Sequence, residues 1–343
     1  MDARSQFLDL SPGPEGVAFE FLPFIRAYKD GHVERFFGTD IVPPSIQEEE
    51  SQFCISSKDV QILPQINLSA RIFLPSKIIN ESQKNNSKLP LLIYFHGGAF
   101  CLGSPFCTVY HNYLTSIVKE ANVIAISVDY RLAPENLIPA AYEDAWAVLN
   151  WVSTHSNGSG PESWLNHYAD LQRVFVAGDS AGGNISANTV AQLGVESLPG
   201  LNVMGLCLIH PDFASKNGEV YKSWTFACPD SSGGDDPRMN PGKDSRVSNL
   251  GCKRVLVFVA GEDPMKERGV YYYETLKESG WNGEVEMIET KENLCPLGHL
   301  HRSQPVIASA NKRCPHAYCD QISRPFPQWC GKLWTAHAAA RLS

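Results

Sequence analysis

The run VFVAGDSAGGN, residues 174–184, decides the fold. Four apolar residues lead into Gly178-Asp179-Ser180-Ala181-Gly182, a match to G-x-S-x-G, and a helix-compatible stretch follows from Gly183-Asn184. A sharp strand-to-helix turn lifts a serine hydroxyl above the end of a sheet. It needs small flanking residues because the two backbones pass close there. The helix N-terminus behind Ser180 favours developing negative charge. A plain glycine-rich turn is the alternative, and the strand before and helix after weigh against it.

Working outward, short continuous apolar runs recur at 89–95 (LPLLIYF), 123–128 (VIAISV), 206–209 and 255–260 (VLVFVA), as for strands covered on both faces. Helical stretches at 111–120, 140–152, 184–193 and 267–280 separate them. This alternation predicts a mostly parallel central sheet with helices on both faces. A strand pair is predicted over 60–74 and a polar surface loop over 79–88. Residues 1–50 read as a short helix, a turn at Asp30-Gly31 and an extended piece closed by Pro43-Pro44, too little for a domain but suited to a cap or flap.

His96-Gly97-Gly98-Ala99-Phe100 follows the 89–95 strand directly. Acyl transfer builds an oxyanion, and fixed backbone N–H groups stabilise it without reorganising. Gly97, Gly98 and Ala181 are the expected donors; His96 is read as a structural residue pinning the loop, not as a base. The acid should follow a later strand. Asp263, after the 255–260 run, is the choice, with Glu262 its close competitor. His210-Pro211-Asp212-Phe213 follows another strand and is placed at the pocket border, where Asp212 would disfavour anionic substrates. Phe21, Phe24, Phe36 and Phe37 either line an apolar cap or pack onto the core.

The chain has 343 residues, 43% of them hydrophobic, enough for a sizeable core. With 29 basic against 37 acidic residues and a net charge of −8, it lacks the clustered Lys/Arg that phosphate binding needs, which excludes nucleic acid and acidic membranes as partners. No secretory h-region and no membrane-length apolar stretch are present, so a cytoplasmic location with reduced cysteines is expected. The sequons at Asn67, Asn80, Asn157 and Asn184 are then unused, and Asn184 in particular sits in the helix behind Ser180.

Taken together, HGGAF (96–100), VDYRLAPENLIPAAYEDAWAVLNWV (128–152), GDSAGGN (178–184) and the segment from GCKRVLVFVAGEDP to ESGWNGEVEMIE (251–289) resemble the plant carboxylesterases of the hormone-sensitive-lipase-like branch of the α/β-hydrolases. The opening PFIRAYKDGHVERF and VPPS resemble the same proteins. The resemblance implies an eight-stranded, mostly parallel sheet and a cap built partly from the N-terminal segment. It also implies ester hydrolysis by a Ser-Asp-His triad in which Ser180 is the nucleophile and Asp263 the acid. Three parts follow: a cap segment at 1–50, an α/β-hydrolase core at 51–290 and a divergent tail at 291–343.

In the tail, the resemblance places the catalytic histidine in a G-x-H-V-F-H stretch, whereas the chain reads Gly298-His299-Leu300-His301. His299 is the candidate base and His301 the second choice. Composition shifts here: four of the ten cysteines lie in the last 49 residues, and from Cys295 onward Asp320 is the one acidic residue. A zinc site from Cys314, His316 and Cys319 lacks supporting spacing, so neither metal nor organic cofactor is expected. A divergent end is a second reading; a shifted reading frame or splice product is the favoured one, and it would leave the last strand–helix pair missing from a sheet edge. The expected substrate is a small-molecule ester. A hormone-like binding protein that has lost its base, and a dehydratase using the same oxyanion hole, are the alternatives.

Overall fold

A computed structural model describes residues 16–45, 55–76, 78, 87–261 and 263–290. Strands β1 (Val17–Phe21), β2 (Ile25–Tyr28) and β3 (Val33–Arg35) form an antiparallel meander in the order β1-β2-β3. This corrects the short helix expected near the N-terminus. Phe19 and Phe21 alternate with exposed neighbours along β1, a strand period, and Pro23 punctuates the first turn. The turn at Asp30-Gly31 is present, with Gly31 at φ +90°. Phe24 is buried against Phe21 and Phe37, Phe19 stacks on Phe226 at 3.9 Å, and Phe36 is exposed, so this aromatic group mainly packs.

The main sheet has eight strands: β4 (Ile55–Leu63), β5 (Leu68–Pro75), β6 (Leu89–Phe95), β7 (Ile124–Asp129), β8 (Ala169–Asp179), β9 (Val203–Ile209), β10 (Arg254–Ala260) and β11 (Glu284–Thr290). Their order is β11-β10-β9-β8-β6-β7-β5-β4, antiparallel where β5 meets β4 and β7 and parallel elsewhere. The helices are α1 (Thr108–Ala121), α2 (Ala140–Ser153), α3 (Ser163–Tyr168), α4 (Ala181–Val195), α5 (Lys222–Ala227) and α6 (Lys266–Glu278). Among the described residues β11 closes one end of this sheet, and the tail expected to lack a last strand–helix pair lies outside the described residues. The seven residues of β11 pair in register with β10, from Arg254–Glu284 to Ala260–Thr290.

Two apolar clusters take alternate residues of each central strand. Leu91, Ile93 and Phe95 of β6 join one with α2, α4 and α6; Leu92 and Tyr94 join the other with α1. Each such side chain contributes about 1.5–3 kcal/mol of transfer free energy, which is why these strands read as continuous apolar runs. With β8 central, the turn after it is flanked by the loops after β6 and β9, and the end of β10 lies one strand further.

Candidate active site

Ser180 stands between β8 and α4 with φ +50° and ψ −119°, a strained conformation for a residue with a side chain. Three backbone bonds fix it: its N–H donates to the Ile209 carbonyl at 2.9 Å, and its own carbonyl accepts from Asp212 (3.0 Å) and Asn184 (3.1 Å). The flanking glycines are required by space. A Cβ on Gly178 would collide with the Gly182 carbonyl, and one on Gly182 with the carbonyl of Phe95. Asn184 is fully buried and its side-chain amide donates to the carbonyls of Asp212 and Arg238, both at 2.9 Å, leaving no room for a glycan.

The loop after β6 is tied to this turn by Asp179. Its buried carboxylate accepts from the Tyr94 hydroxyl (2.7 Å) and the Gly97 N–H (2.9 Å) through Oδ1, and from the Tyr110 hydroxyl (3.0 Å) through Oδ2. Burial pushes this carboxyl upward, and the three donors oppose that. The Gly97 N–H also meets the Tyr110 hydroxyl at 2.9 Å, which removes Gly97 from the expected oxyanion donors. Among the described residues no acceptor meets the amides of Gly98, Ala99 or Ala181. Gly98, Ala99 and Phe100 have successive positive φ values of 123°, 55° and 63°, a turn that presents N–H groups in one direction.

His96 is structural. It is fully buried, stacks on Tyr130 at 4.4 Å, and its Nδ1–H donates to the Gly97 carbonyl at 2.8 Å. The carbonyl can only accept, so the proton sits on Nδ1; burial holds the ring neutral down to about 4. Gly103 presses against this ring, where a Cβ would stand 2.8 Å from Nδ1.

Asp263 follows β10 and is almost fully buried. Oδ1 accepts the Met265 N–H at 2.9 Å, and Oδ2 stands 2.9 Å from Nδ1 of His210. The Met265 sulfur in turn lies 3.9 Å from the Ser180 hydroxyl. Asp212, set beside Ser180 by its backbone, is buried, and burial raises its carboxyl to about 6 against the opposing charge of Arg268. Residue-by-residue reading named Ser180, Gly98, Ala181 and Asp263 but missed Asp179 as the clamp and His210 as a neighbour of the acid. The signal for His210 was its place directly after an apolar run. Glu262, His299 and His301 lie outside the described residues, as do Cys314, His316 and Cys319 of the weighed zinc site. Among the described residues no His/Cys/Asp/Glu group could hold a metal ion, and no helix is long and apolar enough to cross a membrane. Cys101, Cys107, Cys228 and Cys252 are free and buried, and burial pushes all four thiols up, those of Cys101 and Cys252 to about 12, so none of these four is an activated nucleophile.

Comparison with known proteins gives the same architecture. The model of a family with the alpha/beta hydrolase fold matches residues 92–294. A probable carboxylesterase 5 of Arabidopsis thaliana is 46% identical over 80% of this chain and 89% of its own. A 2-hydroxyisoflavanone dehydratase of Glycyrrhiza echinata is 41% identical over 79% of this chain and 86% of its own. Among solved structures, esterase LipW from Mycobacterium marinum superposes with a TM-score of 0.62 at 19% identity, covering 82% of this chain and 83% of that one, a likeness of fold. A serine on a strained strand-to-helix turn, a glycine loop clamped beside it and a buried acid after β10 thus coincide with close relatives over most of the sequence: the chain belongs to the α/β-hydrolase fold family, among the plant carboxylesterases.

Proposed function

We propose that the protein hydrolyses carboxylic esters of small molecules through an acyl-enzyme on Ser180. The observation that carries this is the strained Ser180 turn between β8 and α4, with the amides of Gly98, Ala99 and Ala181 meeting no acceptor among the described residues. Ser180 Oγ attacks the ester carbonyl while its proton passes to an imidazole, assigned to His299. The C=O becomes an oxyanion held by the N–H groups of Gly98, Ala99 and Ala181. Collapse breaks the C–O bond, the alcohol leaves with the proton from the imidazole, and water repeats the sequence to release the acid. Asp263 holds the imidazole in the correct tautomer. Residues 1–50 serve as the cap over a 51–290 core, and the setting is cytoplasmic.

Purified protein should cleave p-nitrophenyl butyrate, and Ser180→Ala should lower kcat by roughly 10⁴–10⁶-fold; equal turnover in the variant sinks the mechanism. The relative named a dehydratase supports a second reading, elimination across the same oxyanion hole. A serine-directed phosphonate that fails to label Ser180, with product that has lost water, would select it.

A further inference from the structure

We propose that His210 is a positioning residue for the acid, meeting Asp263 at Oδ2 and limiting how far its carboxylate can turn. This rests on the roles given above to Ser180 and Asp263. A buried carboxylate is costly to desolvate, and one backbone donor leaves it free to turn about its side-chain torsion. Among the described residues Asp263 has that single donor, Met265 N–H, on Oδ1. His210 supplies the opposite contact: Nδ1 to Oδ2 is 2.9 Å, with the two side chains 3% and 1% exposed.

The ring is delivered there by the backbone. His210 has φ +46°, and its N–H donates to the Phe258 carbonyl of β10 at 2.9 Å, the strand that ends before Asp263. Pro211 fixes the next step, packed where a Cβ on Gly183 would meet its own Cβ at 3.1 Å. A non-glycine residue in the left-handed region is strained and persists where its surroundings demand it. The contact is a close polar approach, since among the described residues neither Nδ1 nor Oδ2 has an aligned hydrogen bond. Lone-pair capacity on Oδ2 therefore stays open to a second imidazole. His210 is not itself placed as the base: Ser180 Oγ is met by the Met265 sulfur, and among the described residues no imidazole lies within hydrogen-bond distance.

The test compares full-length wild type, His210→Leu and His210→Asn by p-nitrophenyl butyrate turnover, phosphonate labelling of Ser180 and thermal melting. His210→Leu should lower kcat and labelling rate about 10- to 100-fold with KM within about twofold, the scale of a small misplacement in a catalytic array. His210→Asn carries an amide N–H near the Nδ1 position and should recover most of that loss. Wild-type kcat in folded His210→Leu overturns the proposal, as does His210→Asn as slow as His210→Leu at equal melting temperature. Failure of the esterase reading would show as a wild type without turnover. In that case nitrogen-edited NMR of the His210 ring decides: its Nδ1 resonance should move on Asp263→Asn, and an unmoved resonance refutes the contact.

Discussion

Asp179 offers the sharpest test of how the oxyanion loop is held, through Asp179→Asn. The carboxylate takes three hydrogen bonds, at 2.7, 2.9 and 3.0 Å, from Tyr94, Gly97 and Tyr110. Hydrogen bonds to a charged group contribute about 1.5–3 kcal/mol each, so the gross interaction is of order 5–9 kcal/mol, against several kcal/mol for burying the charge. Asparagine keeps one acceptor oxygen for Tyr94 and Gly97. It turns an NH₂ toward the Tyr110 hydroxyl, which can accept it. Three charged bonds become neutral ones while the desolvation cost disappears, leaving a net loss of about 1–3 kcal/mol by urea unfolding. The Gly97 anchor then weakens from a charge-assisted to a neutral hydrogen bond. A shift of about 1 Å in Gly98 and Ala99 is worth about 100-fold in kcat, with KM little changed. Asp179→Leu removes the buried acceptor that all three donors share and should fail to fold stably. An Asp179→Asn enzyme within about twofold of wild-type kcat would refute the claim that this carboxylate sets the loop, and a stable Asp179→Leu would refute the energetic reasoning.

Two further outcomes follow from other contacts. Arg35, at the end of β3, donates to the carbonyls of Cys101 (2.7 Å) and Ala133 (3.0 Å) and forks onto Glu135 at 2.8 and 2.6 Å, tying the N-terminal sheet to the segment after the oxyanion loop. Arg35→Ala should raise KM for p-nitrophenyl esters about 3–10-fold at nearly constant kcat, and Arg35→Lys should not rescue it because an ammonium cannot reproduce the fork; an unchanged KM refutes the tie. On acidification, His96 and His111, both lowered by burial from 6.5 to about 4, lose their stabilising neutrality as pH falls from 6.5 through 4. Asp129 and Asp212, raised by burial from 3.8 to about 6, act oppositely, contributing most below 3.8 and losing that as pH rises through 6. Two protons oppose two over pH 4–6, so these four groups largely cancel. Asp212→Asn should steepen the acid-side loss of unfolding free energy by about 1.4 kcal/mol per pH unit, read by urea titrations at pH 5 and pH 6; parallel slopes refute it.

The fold was legible where burial on both faces wrote itself into composition. LPLLIYF and VLVFVA sit in the sheet interior as β6 and β10, each sending alternate residues to two apolar clusters. Legibility failed where one face is wet. Among the described residues EVEMIET is an edge strand paired only with β10, and its polar residues carry no continuous apolar signal. Residues 17–35 form a small meander whose strands of three to five residues are too short for periodicity to separate them from a helix.

The site divides along a different line. Ser180 is legible because everything that makes it a nucleophile turn, the strand before, the helix after and the glycines at 178 and 182, is local in the chain. Which amides serve the oxyanion is not local. HGGAF offers three consecutive N–H groups, and Asp179, 82 residues from Gly97, takes the first of them. The same holds for the acid. Asp263 is named by its place after β10, but the ring at its Oδ2 comes from β9 and reaches it only through the parallel register Val257–Leu208 and Phe258–Ile209. Sheet order is therefore the missing information. Once β8, β9 and β10 are known to be neighbours, a buried polar residue at the end of any one of them becomes a partner for chemistry carried by the next. In that frame Asp179 and His210 do the same kind of work on opposite sides of Ser180: one spends a carboxylate to hold the glycine loop, and the other brings an imidazole to the acid.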